Sequence, residues 1–350
     1  MPTFAAMSKA VLLVNLGSPA STKPEDVKSY LREFLTDPRV IDKAFVRKVI
    51  VPGIILNTRP RKSAEAYGEI WTEEGSPLIV TSERQAALLR ERLDEPVYLA
   101  MRYGAPSIPD VLREIREAGH TEVFCVPLYP QYAMSSYETV VVKVEEDARA
   151  ICPEIDITFQ QPFYHHPEYL DILAASIREN LPEDTEKLLF SFHGIPERHL
   201  RLSDPSHAHC LCRPDCCHKP NPAHATCYRH QCFATVQGVL ERLGIERERT
   251  FVSFQSRLGR DPWLTPYTDR TLDEWGRSGI KKVRVVCPAF VTDCLETLEE
   301  IAGEGGEIFK EAGGEDFGLI PCLNEDERWI DFLRDRVQEW NHREAPAPVA

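Results

Sequence analysis

Short apolar runs alternate with amphipathic stretches along most of the chain. Seven of these runs are predicted to be buried strands, at 10–16, 97–103, 122–128, 155–160, 188–193, 250–255 and 282–287. Between them, apolar positions recur at helical spacing, for example at 82–93, 109–118 and 269–277. Strands that alternate with helices in this way predict βαβ units and a parallel sheet.

A weak internal repeat refines this prediction. A strand, a helix and a second strand lead to Glu138 in one half of the chain, and the same order leads to Glu296 in the other. We therefore predict an α/β fold of two similar doubly wound, Rossmann-like parallel-sheet domains with the active-site cleft between them. The predicted domains are 1–165 and 166–342, followed by a disordered tail at 343–350. A length of 350 residues suits two cores, because single cores commonly stop growing at about 250–300 residues.

The charge balance and the N-terminus exclude several classes of protein. The formal net charge is −14, whereas a nucleic-acid partner requires clustered Lys and Arg. The N-terminus lacks the charged and apolar regions of a signal peptide, and no apolar stretch approaches the roughly 18 residues of a membrane-spanning helix. We expect a soluble, cytoplasmic protein, while transient contact with a membrane surface and a homodimer both stay open.

Two strand ends carry the strongest chemical signals, since open α/β sheets place their active sites at the carboxyl ends of strands. His193 follows an apolar strand and precedes a glycine, a bend that exposes the imidazole. In the other signature, a helical pattern begins near Asp293, so that Asp293, Glu296 and Glu300 share one helix face. Crowded carboxylates in a cleft have raised pKa values and can accept protons or bind a cation. The ordinary alternatives are a core histidine bonded to the backbone and a solvated helix face.

Loops with exposed aromatic and basic residues indicate a flat, apolar ligand with carboxylate groups. Arg59 belongs to a basic cluster in an acidic protein. Trp263 lies in a loop punctuated by proline and glycine, and Tyr129 and Tyr132 flank another. A surface basic cluster explains the basic residues at least as well, and each aromatic residue, taken singly, is more often core filling.

A cysteine-rich segment at 206–227 requires a separate explanation. It has no apolar periodicity, so we predict that it folds around a metal centre, either zinc or an iron–sulfur cluster. Cys210, Cys212 and Cys217 have the spacing C-x-C-x4-C, which differs from the paired C-x2-C of zinc ribbons and favours iron–sulfur. Cys216 and Cys217 compete for one ligand position. Four histidines could replace a thiolate: His207, His209, His218 and His224.

These residues together resemble the ferrochelatases, the type II chelatases that insert Fe(II) into a porphyrin in the last chemical step of haem synthesis. The similarity runs over nearly the whole chain, with motifs at 11–19, 75–78, 102–103, 128–132, 190–196, 255–264 and 290–298. The motifs that begin at Asn15 and at His193 resemble those of protoporphyrin-using rather than coproporphyrin-using relatives.

The resemblance implies that the protein converts protoporphyrin IX and Fe(II) to protohaem. It implies catalytic roles for His193 and Glu296 at the metal-insertion site, with Asp293 and Glu300 on the acidic path of the substrate iron behind them. It also implies contacts with the macrocycle or its propionates, some of them from a lip of the N-terminal domain, by Leu16, Arg59, Tyr67, Ser76, Arg102, Tyr103, Tyr129, Trp263 and Phe290.

Two other functions remain as alternatives. One is a cobalt or nickel chelatase that acts on a sirohydrochlorin-type ring in the same fold. The other is a porphyrin- or haem-binding carrier whose cluster senses redox state or iron. Retention of both His193 and Glu296 speaks against the carrier.

The chain departs from the family's pattern at the cysteine-rich segment, which separates Pro205 from Tyr228 where the family runs without interruption. Some relatives bind a [2Fe-2S] cluster through three cysteines of a C-terminal extension and a fourth cysteine at the position of Met134, and this chain has neither feature. Cys232 stands where cluster-free relatives also have cysteine, which weakens it as a ligand, and Cys294 replaces a histidine of some relatives. We therefore predict a [2Fe-2S] cluster, with structural zinc as the alternative. The expected ligands are Cys210, Cys212, Cys217 and Cys227.

Overall fold

The computed structural model describes residues 8–259 and 261–342, so the predicted tail at 343–350 lies outside the described residues. The strands are β1 (Lys9–Asn15), β2 (Val97–Met101), β3 (Glu122–Pro127), β4 (Asp156–Phe159), β5 (Lys187–His193), β6 (Thr250–Gln255), β7 (Lys282–Val286) and β8 (Asp316–Leu319). The α-helices are α1 (Pro24–Thr36), α2 (Leu56–Ile70), α3 (Pro77–Arg90), α4 (Ile108–Glu117), α5 (Thr139–Ile151), α6 (Pro167–Asn180), α7 (Glu197–Ser203), α8 (Tyr228–Leu243), α9 (Thr268–Arg277), α10 (Gly306–Glu311) and α11 (Glu327–Asn341).

The strands form two parallel sheets of the same topology. Their orders are β2-β1-β3-β4 and β6-β5-β7-β8, so the first strand of each half lies between the second and the third. Every pair within them is parallel, as crossover helices require. The prediction of an α/β fold with two similar halves is confirmed.

Side chains that alternate along the central strands place each sheet between two apolar layers. Val11 of β1 and Phe190 of β5 face one layer that both sheets share, whereas Leu12 and Leu189 face the outer layers of their own halves. The core is therefore continuous between the halves. Burying each of these large side chains contributes about 1.5–3 kcal/mol relative to leaving it in water.

The last helix joins the two halves. Trp329 of α11 packs against Tyr169 of α6, and Trp340 stacks on Phe124 of β3 at a centroid distance of 5.4 Å. The helix begins at a proper cap, because the carboxylate of Asp326 accepts a hydrogen bond from the backbone N–H of Arg328. A helix from the end of the chain thus covers the first sheet as well as the second. None of the helices in residues 8–342 that the structure describes has the length and apolar character needed to cross a membrane.

Each half carries a π-helix after its third strand, Met134–Glu138 in the first and Glu296–Gly305 in the second, so that Glu138 ends one and Glu296 begins the other. A further π-helix, Val46–Ile55, leads into α2, and we call residues 46–70 the lip. The sequence predicted an ordinary helix from near Asp293, but Asp293 precedes the helical segment. π-helices occur frequently at functional sites.

Candidate active site

His193 lies at the carboxyl end of the central strand of the second sheet. It is the last residue of β5 and pairs in register with Gln255 of β6. The next residue has to be glycine, because a Cβ on Gly194 would lie 2.6 Å from the carbonyl oxygen of Gln255. The imidazole is half-buried, and its Nδ1 lies 2.7 Å from the carbonyl oxygen of Gly194. Since a carbonyl only accepts, Nδ1 carries the proton of the neutral ring and Nε2 is left with a lone pair.

Glu300 lies beside His193 and is held by the end of β6. Ser256 donates to it twice, from its backbone N–H to Oε1 at 2.7 Å and from its hydroxyl to Oε2. The φ angle of Ser256 is 60°, a left-handed conformation that costs a residue with a Cβ about 1–2 kcal/mol. Burial raises the pKa of Glu300, while the Ser256 hydroxyl and the nearby His193 oppose the rise. A carboxyl in this state can exchange a proton with the imidazole.

Glu296, the first residue of the π-helix, lies among polar groups of the cleft. Gln255 donates from Nε2 to the Glu296 carbonyl oxygen at 2.9 Å, which fixes the start of the helix. Burial, and then the nearby Glu296 carboxylate, raise the pKa of the Cys294 thiol. The same carboxylate is close enough to Tyr30 and Tyr67 to add to the raised pKa values that burial gives both phenols.

Asp293 fixes the segment that precedes the π-helix. Its Oδ1 accepts from the Thr297 hydroxyl at 2.8 Å, and its Oδ2 accepts from Asn324 Nδ2 at 2.6 Å. Its side chain is buried. The prediction that Asp293, Glu296 and Glu300 share one helix face is wrong for Asp293, because Asp293 precedes the helix and its carboxylate is bonded to Thr297 and Asn324.

A narrow cleft brings several predicted residues together. Leu16, Tyr67, Ser76 and Glu296 line it, and its cavity volume is about 10 Å³. This is smaller than the roughly 300–1,000 Å³ of typical ligand pockets. A macrocycle therefore enters only if the walls move apart, and Tyr67 belongs to the lip.

Arg102 and Tyr103 are engaged by a buried acid rather than by open space. Arg102 forms an ion pair with Asp37, and Tyr103 donates to Asp37 Oδ2 at 2.9 Å. Arg102 Nε also donates to the Thr139 hydroxyl at 2.8 Å. Tyr103 is fully buried, and its carbonyl lies against Gly17, where a Cβ would approach to 1.8 Å. In this arrangement Asp37 holds both residues in place beside the end of β1.

The remaining predicted ring contacts differ in exposure. The Tyr129 hydroxyl is buried and finds no hydrogen-bond partner within the residues described, so a ligand atom could satisfy it. Trp263 is half-buried, with Nε1 bonded to the carbonyl of Leu258 at 2.9 Å, and Phe290 contacts His193 edge to face. Arg59 is exposed on the lip.

The cysteine-rich segment lies against the N-terminal end of α8. Cys210, Cys217 and Cys227 are buried. The nearby Cys210 thiol is the largest cause that raises the pKa of Cys227, to about 12, and burial adds to the rise. Cys216 is buried with its Sγ 4.0 Å from that of Cys217, whereas Cys212 is exposed. Over residues 8–259 and 261–342, no three His, Cys, Asp or Glu side chains are arranged as a metal ion would require.

Comparison with known proteins identifies the family. The family model described as Ferrochelatase matches residues 8–340. The ferrochelatase of Opitutus terrae is 51% identical over 337 residues, which cover 95% of this chain and 98% of that protein. The ferrochelatase of Pseudomonas fluorescens strain Pf0-1 is 50% identical over 326 residues, covering 93% and 96%. The chain belongs to the ferrochelatase family.

Solved structures agree with this fold. SirB from Bacillus subtilis with Fe3+ superimposes with a TM-score of 0.52 at 13% identity, covering 95% of each chain. A sirohydrochlorin chelatase SirB from Bacillus subtilis subspecies spizizenii, in complex with cobalt, gives a TM-score of 0.50 at 13% identity, covering 96% and 97%. At this identity the likeness shows the chelatase fold alone.

Some residues around the site of this ferrochelatase-family chain were missed by the sequence analysis. Ser256 and Gln255 stand in a recognised motif, but only the structure shows that they hold Glu300 and Glu296. Asp37 and Asn324 carry no pattern of their own, and their partners Arg102 and Asp293 are distant in sequence. A left-handed non-glycine residue such as Ser256 leaves no trace in hydrophobic periodicity.

Glu299 should make the stability of the protein depend on pH. Burial, then Glu304 and Glu69, raise its pKa to about 7. The folded protein therefore binds more protons than the unfolded chain between about pH 4.5 and 7, so stability is full below this range and falls as pH rises through it. Glu299→Gln does not titrate and should be more stable than the wild type at pH 8. The expected gain is about 1 kcal/mol, after discounting for partial exposure.

Urea unfolding of the metal-free protein at pH 5 and pH 8 measures this difference. Glu307→Gln, on the exposed side of α10, is the control and should leave the pH dependence as it is. An equal stability of Glu299→Gln and wild type at pH 8 would show that Glu299 is ionised in the folded protein without a penalty.

Proposed function

We propose that the protein inserts Fe(II) into protoporphyrin IX to give protohaem. The observation that carries the proposal is the grouping of His193 with Glu300 and Glu296 at one end of the second sheet, in a chain of the ferrochelatase family. The group combines an imidazole lone pair with two carboxylates, of which Glu296 lines the cleft. Such a set can remove protons and receive a divalent cation.

Metal insertion requires that two pyrrole nitrogens lose their protons while Fe(II) loses its water. We propose that His193 Nε2 accepts a proton, since Nδ1 is engaged with the Gly194 carbonyl. Glu300 has a raised pKa and lies beside His193, so it can receive that proton and release it toward solvent. Glu296 is proposed as the group that faces the metal and the ring, because it lines the cleft itself.

A planar macrocycle hides its nitrogen lone pairs from an incoming ion, so the protein has to hold the ring distorted. Contacts far from the metal can support such strain. We propose that Leu16, Tyr67 and Ser76 form one wall, with the unpaired hydroxyl of Tyr129 as a further contact. Arg59, exposed on the lip, is proposed to meet a propionate once the lip has closed on the ring.

The two alternative functions fit less well. The similarity to SirB is limited to the fold, whereas relatives at 51% and 50% identity are named ferrochelatases. A carrier would have no need for a strained Ser256 that holds a proton-accepting Glu300 beside His193.

A steady-state assay with a choice of rings tests this proposal. Purified protein is given Fe(II) without oxygen, together with protoporphyrin IX, coproporphyrin III or sirohydrochlorin, and the absorption of the ring is followed. We expect the highest kcat/KM with protoporphyrin IX. A markedly higher kcat/KM with coproporphyrin III would change the assigned ring, and cobalt insertion into sirohydrochlorin alone would favour the other chelatase.

We also propose that the cysteine-rich segment holds a [2Fe-2S] cluster. Three of the four predicted ligands, Cys210, Cys217 and Cys227, are buried thiols that belong to the same apolar layer. Cysteine sulfurs are the ligands that iron–sulfur clusters and other soft metal centres prefer. Thiolates that lie close together also repel each other unless a cation neutralises their charge. Leu211, which lies between two predicted ligands, has a φ angle of 61°. Such strain persists where the surroundings fix the chain.

The fourth ligand is proposed to be Cys212, which has to turn inward from its exposed position. Cys216 is the competing candidate, since it is buried next to Cys217. When bound, the cluster would supply structural cross-links, because His193 and Glu296 need no redox partner for metal insertion. Structural zinc on the same thiols remains the alternative.

A further inference from the structure

Tyr228 contacts the backbone of the catalytic histidine. It is the first residue of α8 and directly follows Cys227. Its hydroxyl donates to the carbonyl oxygen of His193 at 2.9 Å. Burial holds the pKa of this phenol well above its usual range, so it remains a neutral donor at any working pH.

The bond acts where the chain leaves the sheet. β5 ends at His193, and the following Gly194 is kept small by the carbonyl of Gln255. A hydrogen bond to the His193 carbonyl therefore fixes the peptide that joins the strand to Gly194. The orientation of the imidazole depends on the course of the chain through Gly194, because Nδ1 bonds the Gly194 carbonyl.

The first turn of α8, which carries Tyr228, is bonded to the cysteine-rich segment. Gln231, one turn further along α8, donates from Nε2 to the carbonyls of His224 and Ala225 at 3.1 and 2.9 Å. His230 Nδ1 lies 2.7 Å from the carbonyl of Cys217. These bonds hold the first turn of α8 to the segment, so Tyr228 cannot move unless the segment moves with it.

The start of the segment is fixed as well. The buried carboxylate of Asp204 accepts from the backbone N–H groups of His209 and Cys210, both at 2.8 Å. These bonds hold the pKa of Asp204 well below its usual range, although burial alone would raise it. Asp204 lies shortly after α7, which follows His193 in the chain. The segment is therefore tied to the active-site half at both of its ends.

We propose that Tyr228 is a positioning residue for His193, and that the cysteine-rich segment sets the position of Tyr228 and so transmits its own order to the active site. This inference rests on the proposed iron insertion for its readout. The proposed interaction is the single neutral hydrogen bond from Tyr228 to the His193 carbonyl. A bond of this kind contributes about five- to tenfold to the rate if it is needed in the transition state.

Tyr228→Phe tests the first part, because it removes the donor and keeps the ring. We expect kcat for iron insertion into protoporphyrin IX to fall about five- to tenfold, with KM and the Kd for protoporphyrin within twofold of wild type. Tyr137→Phe is the matched control, since Tyr137 is also a buried phenol that donates to a backbone carbonyl, that of Gln160 at 3.0 Å. This control should keep kcat while losing similar thermal stability.

The outcomes separate the inference from the activity on which it rests. Wild-type protein that makes no haem would refute the proposed function. Wild-type protein that makes haem, together with an unchanged kcat in Tyr228→Phe, would overturn the positioning role alone. An equal loss of kcat in Tyr137→Phe would show that general destabilisation lowers kcat in both variants, and it would also overturn the positioning role.

A double-mutant cycle tests the transmission. Asp204→Asn weakens the anchoring of Cys210 and is expected to lower kcat in the wild-type background. In the Tyr228→Phe background it should lower kcat much less, since the path to His193 is already cut. Thermal unfolding midpoints show that all four proteins are folded at the assay temperature. If the fold-loss of kcat in the double variant equals the product of the fold-losses in the two single variants, transmission through Tyr228 is refuted.

Discussion

Replacing His193 by alanine is expected to lower kcat by about 10²–10⁴-fold while protoporphyrin still binds. The imidazole is proposed to accept a pyrrole proton, and a positioned general base contributes about this factor. Binding should persist because the cleft walls, including Leu16, Tyr67 and Ser76, are unchanged. The measurement pairs kcat with the protoporphyrin Kd, obtained from quenching of protein fluorescence.

His342→Ala is the control for this experiment, since His342 is exposed at the end of α11. It should match wild type in both quantities. A His193→Ala enzyme that keeps more than about a tenth of the wild-type kcat would remove His193 from the proton path.

Replacing a cluster ligand is expected to abolish the visible absorption of the protein. Protein purified without oxygen should be reddish and contain about two iron and two sulfide per chain, as the cluster type requires. Cys227→Ser should bleach it completely, because Cys227 is a proposed ligand and its thiol is buried in the same apolar layer as those of Cys210 and Cys217. Serine variants of Cys210, Cys212 and Cys217 should behave alike. Chemical analysis of each variant measures the number of iron and sulfide ions bound per chain.

Buried cysteines outside the segment provide the controls. Cys125→Ser on β3 and Cys232→Ser on α8 replace fully buried thiols, and both should keep the colour. Stoichiometric zinc without sulfide, in protein from iron-replete cells, would refute the cluster. Bleaching by Cys216→Ser but not by Cys217→Ser would keep the cluster and correct one ligand.

The fold could be predicted from the sequence where a strand is a continuous apolar run. The run at 250–255 matches β6 residue for residue, and the other predicted strands end within a few residues of the observed ones. β8 was missed because Asp316–Leu319 is only four residues long, half-buried throughout, and contains a glycine. A short edge strand depends on its neighbour for pairing and leaves little pattern of its own.

The π-helix Glu296–Gly305 could not be predicted from hydrophobic periodicity. The spacing of Asp293, Glu296 and Glu300 fits an ordinary helix, and nothing local distinguishes bonding from i to i+5. The start is decided by distant groups, since Asn324 bonds Asp293 and Gln255 bonds the Glu296 carbonyl. The sequence predicts the acidic residues of the site, whereas tertiary bonds decide which of them lie in the cleft.

The cysteine-rich segment shows both the reach and the limit of sequence analysis. Its lack of apolar periodicity predicted that it folds around a metal centre. The structure buries Cys210, Cys216, Cys217 and Cys227 within the shared core layer, beside Tyr228 and other residues of α8. Thiols pack as small apolar groups, so cysteine spacing alone cannot separate burial from metal binding.

The most direct test of the central claim is a single turnover. Protein in excess over protoporphyrin IX is mixed with Fe(II) without oxygen, and the Soret band is followed as the bound ring reacts. We predict that the band of bound protoporphyrin converts to that of protohaem, with one haem formed per bound ring, and that Glu296→Gln slows this conversion without releasing the ring. Protoporphyrin that stays bound and metal-free in the wild-type protein would contradict the account and would identify a porphyrin carrier.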